Sequence, residues 1–453
     1  MKITDLNAEN DIGSNCLYVE VGPFRVLVDC GVHPKKSGKA ALPRLELIPE
    51  RTLDFIILTH CHLDHVGALP LVLRRHPQAK ILCSAATAML VKRILRNSVT
   101  VMMRQREETG IKDYPFYTYE ELDRVESRLF PLPLHGMREF RGRGDTLGVT
   151  LYPAGHVVGA VGALIEHKGL RHFFTGDVLF LDQNTIRGAA FPREPLDTLV
   201  METTRGTVPH HPDLTRAMEQ ARLLKCVRET IAGGGTLLIA AFAFGRMQEI
   251  LMLLHAAWED DLLPECPIFC SGLGVDLADY FDMISRKTGT VKFRRHVMRD
   301  LNARPLRGKF VEPGLDIQER GIYVLSSGML VENTPAWRIS ANLLDHPRNT
   351  VAFVGYCDPD TPGGRLLAAK PGDAFEYPNL EYTAKVNARV ERFHLSGHAD
   401  REELVQFAKD CTPGHIVLTH GDPPAREWFR DTLRAEIPGA KITDPLPGVP
   451  FEI

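Results

Sequence analysis

Nowhere does the chain stay apolar for about 18 residues, the length a membrane-crossing helix needs, so a spanning segment is excluded. Asp5, Glu9 and Asp11 interrupt the first eleven residues, and no secretory leader is expected there. The nine cysteines are odd in number, scattered from Cys16 to Cys411 and without a CxxC pair. That excludes a disulfide framework and fits a reducing cytoplasm. Neither sign of charge dominates: 54 Lys and Arg against 57 Asp and Glu leave a net charge of −3. A polyanion therefore has to be met by a local patch, because no global field would attract it. There is no repeat of 20–50 residues and no low-complexity segment, which removes solenoids and linkers. What remains is an ordinary globular composition, 44% hydrophobic and 25% charged, in 453 residues. At roughly 100–200 residues per folding unit, two units are expected, one nested in the other.

The pattern along the chain supports nesting. Asn15 to Glu20 and Phe24 to Asp29 read as a hairpin split by Gly22-Pro23. Thr52 to Thr59 is a short apolar run that ends at a histidine cluster, and Val66 to Arg75 then reads as helix. Ala85 to Glu108 is helical in pattern, followed by short strands at Thr146–Ala154, Gly162–Glu166, Arg171–Thr175 and Thr198–Glu202. From about Thr203 the order changes to strand, tight turn, helix. Thr236–Phe242 precedes a helix at Gly245–Trp258, and Pro267–Ser271 precedes one at Leu273–Arg286, as in a parallel open sheet. Gly321–Leu325 and Thr350–Gly355 read as further strands of that sheet. Around Val390 the first pattern returns, with strands Arg392–Leu395 and Gly414–Thr419 leading to His398 and His420. Gly233-Gly234-Gly235 precedes its strand and reads as a turn, not a phosphate loop.

The sharpest chemical signal is His60-Cys61-His62-Leu63-Asp64-His65. On a loop after a strand, His60 and His62 project to one side while Asp64 and His65 turn to a second point, so the ligands serve two adjacent metals. Nitrogen and carboxylate donors without thiolate suit zinc first, with manganese and iron as alternatives. Cys61, between two ligands, is expected to pack and not to ligate.

These residues resemble a metallo-β-lactamase-fold hydrolase, and the other motifs of that family can be sought residue by residue. Asp29, followed by Cys30-Gly31, matches its first aspartate, which orients a ligand. His156 in Ala154-Gly155-His156 matches the third motif and Asp177 in Thr175-Gly176-Asp177 the fourth. Beyond them the resemblance narrows to the β-CASP branch, the nucleic-acid-processing nucleases. Met201-Glu202-Thr203-Thr204 resembles its motif A, Ser396-Gly397-His398-Ala399-Asp400 its motif B and Leu418-Thr419-His420-Gly421-Asp422 its motif C. Ala241 to Glu249 and Ser326 to Leu330 resemble segments of the inserted domain. Members of the branch include the endonuclease subunit of the cleavage and polyadenylation specificity factor, ribonuclease J and single-chain prokaryotic ribonucleases.

The resemblance implies an α/β protein: a metallo-β-lactamase αββα sandwich over residues 1–204 and 386–453, with a parallel-sheet β-CASP domain inserted at 205–385 and the active site in the cleft between them. It implies two zinc ions, one at His60, His62, His156 and Asp177, the other at Asp64, His65, His420 and a bridging Asp177. A hydroxide between ions roughly 3.5–4 Å apart would attack phosphorus, and His398, held by Glu202, would protonate the leaving 3′ oxygen. The ends left would be 5′-phosphate and 3′-hydroxyl. Histidine in motif C is typical of members that act on RNA, so His420 points to RNA. Three departures, Cys357 where relatives usually carry glutamine, the displaced arginine of the same Gly355 to Arg365 segment, and Arg205 where many have tyrosine, spare every ligand position.

The expected activity is a zinc-dependent endoribonuclease. A 5′ exoribonuclease is disfavoured because no extra C-terminal domain follows the last motif. A small-molecule hydrolase is disfavoured by the inserted domain, and a non-catalytic RNA-binding subunit by the filled ligand positions. The expected partner is RNA, without a membrane, and self-association into a homo-oligomer stays open. Lys292, Arg294, Arg295, Arg299, Arg304, Arg307 and Lys309, with only Asp300 against them, suggest a phosphate track.

Overall fold

In the computed structural model, which describes residues 1–209, 214–306 and 311–453, local chemistry sets the first turn. Gly22, at φ +52°, reverses the chain between strands Leu17–Val21 and Phe24–Val28, which pair antiparallel with Val21 opposite Phe24. Phe24–Val28 then pairs in parallel with Phe55–Ile57, the short core of the apolar run that ends at the histidines.

The chain divides into two compact units. The first comprises Met1–Asp182, Arg187–His210 and His398–Ile453; the second Gln183–Ile186 and His211–Gly397. Two seven-stranded sheets make the first unit. One runs, in spatial order, Phe451–Glu452, Lys2–Asp5, Leu17–Val21, Phe24–Val28, Phe55–Ile57, Lys80–Ser84, Leu129–Leu132. The other runs Lys441–Thr443, His415–Thr419, Thr198–Glu202, Leu170–Phe174, Val161–His167, Asp145–Pro153, Arg138–Gly142. Their apolar faces close on each other: Val19, Val26, Ile57 and Leu82 from one sheet share a buried cluster with Val149, Ala163, Phe174, Val200 and Val417 from the other. Alternation along each strand puts these residues on one face.

Helices cover the outer faces. Ala85–Thr109 starts at Ser84, whose hydroxyl accepts from the Thr87 N–H at 3.1 Å, and stops at Gly110 in the left-handed region. It buries Leu90, Val91, Ile94 and Leu95, an i, i+4 stripe. Arg401–Cys411 begins with reciprocal Asp400 and Glu403 caps and sets Phe407 against Phe173, centroids 6.1 Å apart. This is the expected αββα sandwich.

The second unit is built on six strands in the order Ala303–Pro305, Ile268–Cys270, Ile322–Leu325, Leu237–Ala240, Thr350–Phe353, Arg389–Arg392, every pairing parallel. Leu238, Leu325, Phe353 and the fully buried Trp337 belong to one core cluster. Gly233–Gly235 is indeed the turn between helix Arg216–Ala232 and strand Leu237–Ala240.

Three sequence expectations need correction. The strand anticipated at Arg392–Leu395 as part of the sandwich is instead Arg389–Arg392, hydrogen-bonded to Thr350–Phe353 in the parallel sheet. Its residues are half exposed, so no apolar run marked it. The helix expected over Val66–Arg75 is two pieces, Leu63–Val66 and Leu69–Arg75, because Gly67-Ala68 break it. The strands Lys2–Asp5, Lys80–Ser84, Leu129–Leu132 and Arg138–Gly142 were not anticipated. Among the described residues no helix is long and apolar enough to cross a membrane.

Candidate metal centre

Strand Phe55–Ile57 delivers the chain to Leu58-Thr59 and then to the histidine loop, whose shape is fixed by the neighbouring Asp29-Cys30-Gly31 turn. The Cys30 N–H donates to the His65 carbonyl at 2.7 Å, and the Ala68 N–H donates to the Cys30 carbonyl at 2.8 Å. Gly31 permits this approach, since a Cβ there would lie 1.6 Å from the Asp64 carbonyl oxygen. Cys61 is fully buried with its thiol 3.6 Å from the Thr87 carbonyl, packed away from the imidazoles as expected.

Two clusters of donor atoms result. His60, His62, His156 and Asp177 each bring one nitrogen or oxygen within 4.8 Å of all the others; Asp64, His65 and His420 do the same beside them. Both His60 Nε2 and His156 Nε2 come 3.1 Å from His62 Nδ1. Asp177 stands between the clusters, its Oδ2 3.6 Å from His60 Nε2, 3.5 Å from His156 Nε2 and 3.4 Å from His65 Nε2, its Oδ1 3.3 Å from His420 Nδ1. His420 Nε2 lies 3.5 Å from Asp64 Oδ2 and 3.3 Å from His65 Nε2.

The residues around the clusters orient them. Asp29 accepts from His65 Nδ1 at 2.7 Å and from the Thr59 hydroxyl at 2.7 Å, while its second oxygen takes the Thr59 N–H at 2.8 Å. With Nδ1–H committed to Asp29, His65 turns Nε2 inward. Thr204 lies 2.9 Å from His420 Nδ1 through its hydroxyl. Arg426, fully buried on helix Pro423–Glu436, donates to the Gly421 carbonyl at 2.7 Å and the Leu418 carbonyl at 3.2 Å and pairs with Asp444 at 3.1 Å. It ties down the loop that carries His420. Thr59, Thr204 and Arg426 were not singled out from the sequence; Thr59 and Thr204 sit in the quoted segments, but nothing signalled Arg426.

Charge in the centre is strongly coupled. Burial alone would push the Asp177 carboxyl up, but His420, His65 and His60 hold it well below the usual carboxylate range. Burial would likewise raise Asp64, yet His65 and His420 bring it far down. Burial keeps His60 neutral, helped by His65. For His65 burial opposes charge, but Asp177, Asp29 and Asp64 outweigh it and raise its pKa.

A histidine–carboxylate pair stands next to the clusters. Both oxygens of Glu202 face His398 Nδ1, at 2.9 and 3.1 Å, and the other nitrogen, Nε2, is 4.0 Å from Asp177 Oδ2. Glu202 is in turn held by the Val178 N–H at 2.6 Å. Burial disfavours the imidazolium of His398, but Glu202 more than offsets this and raises its pKa. Arg205, in the place of the anticipated tyrosine, pairs with Asp400 and donates to the His398 carbonyl at 3.4 Å. All ten residues singled out as ligands or partners lie in the first unit.

Three family models match the chain: the metallo-beta-lactamase superfamily over residues 10–231, the Beta-Casp domain over 247–366 and a Zn-dependent metallo-hydrolase RNA specificity domain over 383–443. The chain belongs to the metallo-beta-lactamase superfamily and carries a Beta-Casp domain. Among its relatives are "Endoribonuclease YSH1" of Candida glabrata, 27% identical over 97% of this chain and 57% of that protein. Another is "Cleavage and polyadenylation specificity factor subunit 3-I" of Arabidopsis thaliana, 27% identical over 98% of this chain and 62% of that protein. The chain thus spans about three fifths of the length of these relatives. A crystal structure of a protein of unknown function from Enterococcus faecalis V583 aligns over 99% of both chains with a TM-score of 0.55 at 14% identity, which shows a shared fold.

A superfamily of this kind implies a metal, and the donors fit one. Nitrogens and carboxylate oxygens converge without a thiolate, imidazole edges approach one another to 3.1 Å, and the buried Asp177 Oδ1 has no hydrogen-bond donor among the described residues.

The basic run is more dispersed than the sequence suggested. Arg295 pairs with Asp279 at 3.0 Å, Arg299 with Asp300 at 2.9 Å and Arg304 with Glu319 at 3.3 Å, so Asp300 is not its sole counter-charge. Arg294 lines a recess of about 730 Å³ with Asp282, Arg286, Arg295, His296 and Arg299. Arg307 and Lys309 lie outside the described residues.

Proposed function

We propose that the chain is a zinc-dependent RNA phosphodiesterase that cuts within the strand, leaving 5′-phosphate and 3′-hydroxyl ends. The observation that carries this reading is Asp177, shared between two donor clusters and facing a His398–Glu202 pair. His60, His62, His156 and Asp177 would hold one ion, and Asp64, His65, His420 and Asp177 the other. When bound, two such ions lower the pKa of water to roughly 7 and neutralise charge on phosphoryl oxygens. Asp29 and Thr59 fix the tautomer of His65, and Arg426 and Thr204 hold the loop and ring of His420.

The leaving 3′ oxygen is strongly basic and needs a proton. Glu202 occupies His398 Nδ1, so the proton available for transfer is on Nε2, the nitrogen turned toward the clusters. That makes His398 the general acid and Glu202 its positioning partner. The 2′-hydroxyl of the RNA is not the nucleophile in this scheme.

RNA as substrate is supported by His420 in motif C, by the RNA specificity domain matched over residues 383–443 and by the endoribonuclease relatives. Arg294, which pairs with no carboxylate among the described residues, is the member of the basic run best placed to meet a phosphate. Nine free cysteines, eight of them buried, support a reducing compartment such as the cytoplasm. Chelator-treated protein should lose RNA cleavage and regain it with zinc, and the 5′-phosphate and 3′-hydroxyl products should ligate without end repair. Products ending in a 2′,3′-cyclic phosphate would overturn the scheme, because they require attack by the 2′-hydroxyl.

A further inference from the structure

A second place in the molecule gathers ligand-type side chains, and nothing in the proposed hydrolysis uses it. In the second unit, helix Arg246–Glu259 carries His255, only 4% exposed, and the single turn His296–Asp300 carries His296 and Asp300 four residues apart on one face. One donor atom from each of the three lies within 4.8 Å of the others. His255 Nε2 is 3.2 Å from Asp300 Oδ2, and the His255 and His296 rings meet edge to face with centroids 5.3 Å apart.

A plain ion pair would account for His255 and Asp300 alone. It does not account for His296, which brings a second imidazole to the same point and whose side chain makes no hydrogen bond or ion pair among the described residues. The surroundings are arranged as around a metal. Glu259 Oε2 stands 3.5 Å from His255 Nδ1, where it can take that proton and leave Nε2 free to ligate. Arg299 occupies the other oxygen of Asp300, at 2.9 Å, so Oδ2 is the one left for a cation. Of the four arginines in the adjoining recess, Arg286, Arg295 and Arg299 are paired with Asp282, Asp279 and Asp300, which leaves Arg294 as the one positive charge there without a paired carboxylate among the described residues.

The geometry points to His255, His296 and Asp300 as a third metal site, distinct from the hydrolytic centre, that takes a zinc ion. Two imidazole nitrogens and one carboxylate oxygen form a three-ligand set suited to zinc, with the remaining position for water. Its effect is structural. A helix of five residues is too short to hold itself together in water, and ligation through its first and last residues closes that turn and ties it to helix Arg246–Glu259. The same turn carries Arg299 and His296 on the wall of the arginine-lined recess.

Zinc content after equilibrium dialysis of the full chain tests the site. His296 is exposed, so His296→Ala leaves the core intact. Wild type should hold one zinc ion more per chain than His296→Ala, and the same difference of one should separate Asp177→Ala from the Asp177→Ala, His296→Ala double variant. Because the result is a difference, it does not depend on how many ions the hydrolytic centre binds. In parallel, zinc should slow amide exchange over residues 296–300 in wild type and not in His296→Ala. Equal zinc in the paired proteins, or exchange that zinc slows equally in both, would overturn the site.

Discussion

His398 and Asp177 are the two side chains on which the proposed chemistry turns, and they separate experimentally. Asp177 lies between both donor clusters, so Asp177→Ala should remove zinc from both; full zinc at the hydrolytic centre of that variant would refute its shared role. His398 is bonded through Nδ1 to Glu202 and stands outside the two clusters. His398→Ala should therefore keep the zinc yet slow RNA cleavage by roughly 10²–10⁴. A nitrophenyl phosphodiester, whose leaving group departs without a proton, should suffer much less, and Glu202→Gln should show the same selectivity in milder form. Equal losses on both substrates would make His398 a ligand or a positioning residue. At this scale the sequence was informative wherever a residue acts through a compact motif. His60 to His65 announce themselves because four ligands, three histidines and an aspartate, fall within six positions. Arg426 does not, because its partners at Leu418, Gly421 and Asp444 become neighbours only when helix Pro423–Glu436 folds back on its own loop. His255 and His296 are forty-one positions apart, and no spacing rule joins them.

Elements whose surroundings are apolar on both faces were legible, and those on edges were not. Leu237–Ala240 and Ile322–Leu325, wholly buried in the parallel sheet, read directly as apolar runs. Arg389–Arg392, on the edge of that sheet, shows no such run and was placed in the wrong unit. Lys2–Asp5 escaped notice for a related reason: it ends in a buried aspartate. Burial pushes the Asp5 carboxyl up to about 6, against the lowering pull of Arg426 and of the Asn7 N–H that Asp5 accepts. The sign follows from linkage. A carboxyl whose folded pKa exceeds its unfolded value of about 3.8 favours the native state while protonated, and that contribution is lost as pH rises through about 6. Wild type should accordingly lose up to about 3 kcal/mol relative to Asp5→Asn between pH 4 and pH 7, at 1.36 kcal/mol per pKa unit. Denaturant titrations of both proteins across that range give the comparison. A stability gap that does not change with pH would mean that Asp5 is already ionised when folded.

For the whole chain, the arrangement of two sheets and an inserted parallel sheet brings together residues from opposite ends of the sequence. Asp29 and His65 come from the first sheet's loops, Asp177 and Glu202 from the second, and His398 and His420 from beyond the insertion. A shared fold by itself is compatible with many reactions, so the claim of internal RNA cleavage rests on this convergence and has to be tested on a substrate without ends. Circular single-stranded RNA is that substrate. Incubated with the zinc-loaded full chain, the circle should open to a linear molecule with a 5′-phosphate and a 3′-hydroxyl, and it should stay closed with His398→Ala on the same timescale. A circle that stays closed under wild-type protein while linear RNA of the same sequence is shortened from its 5′ end would contradict the account.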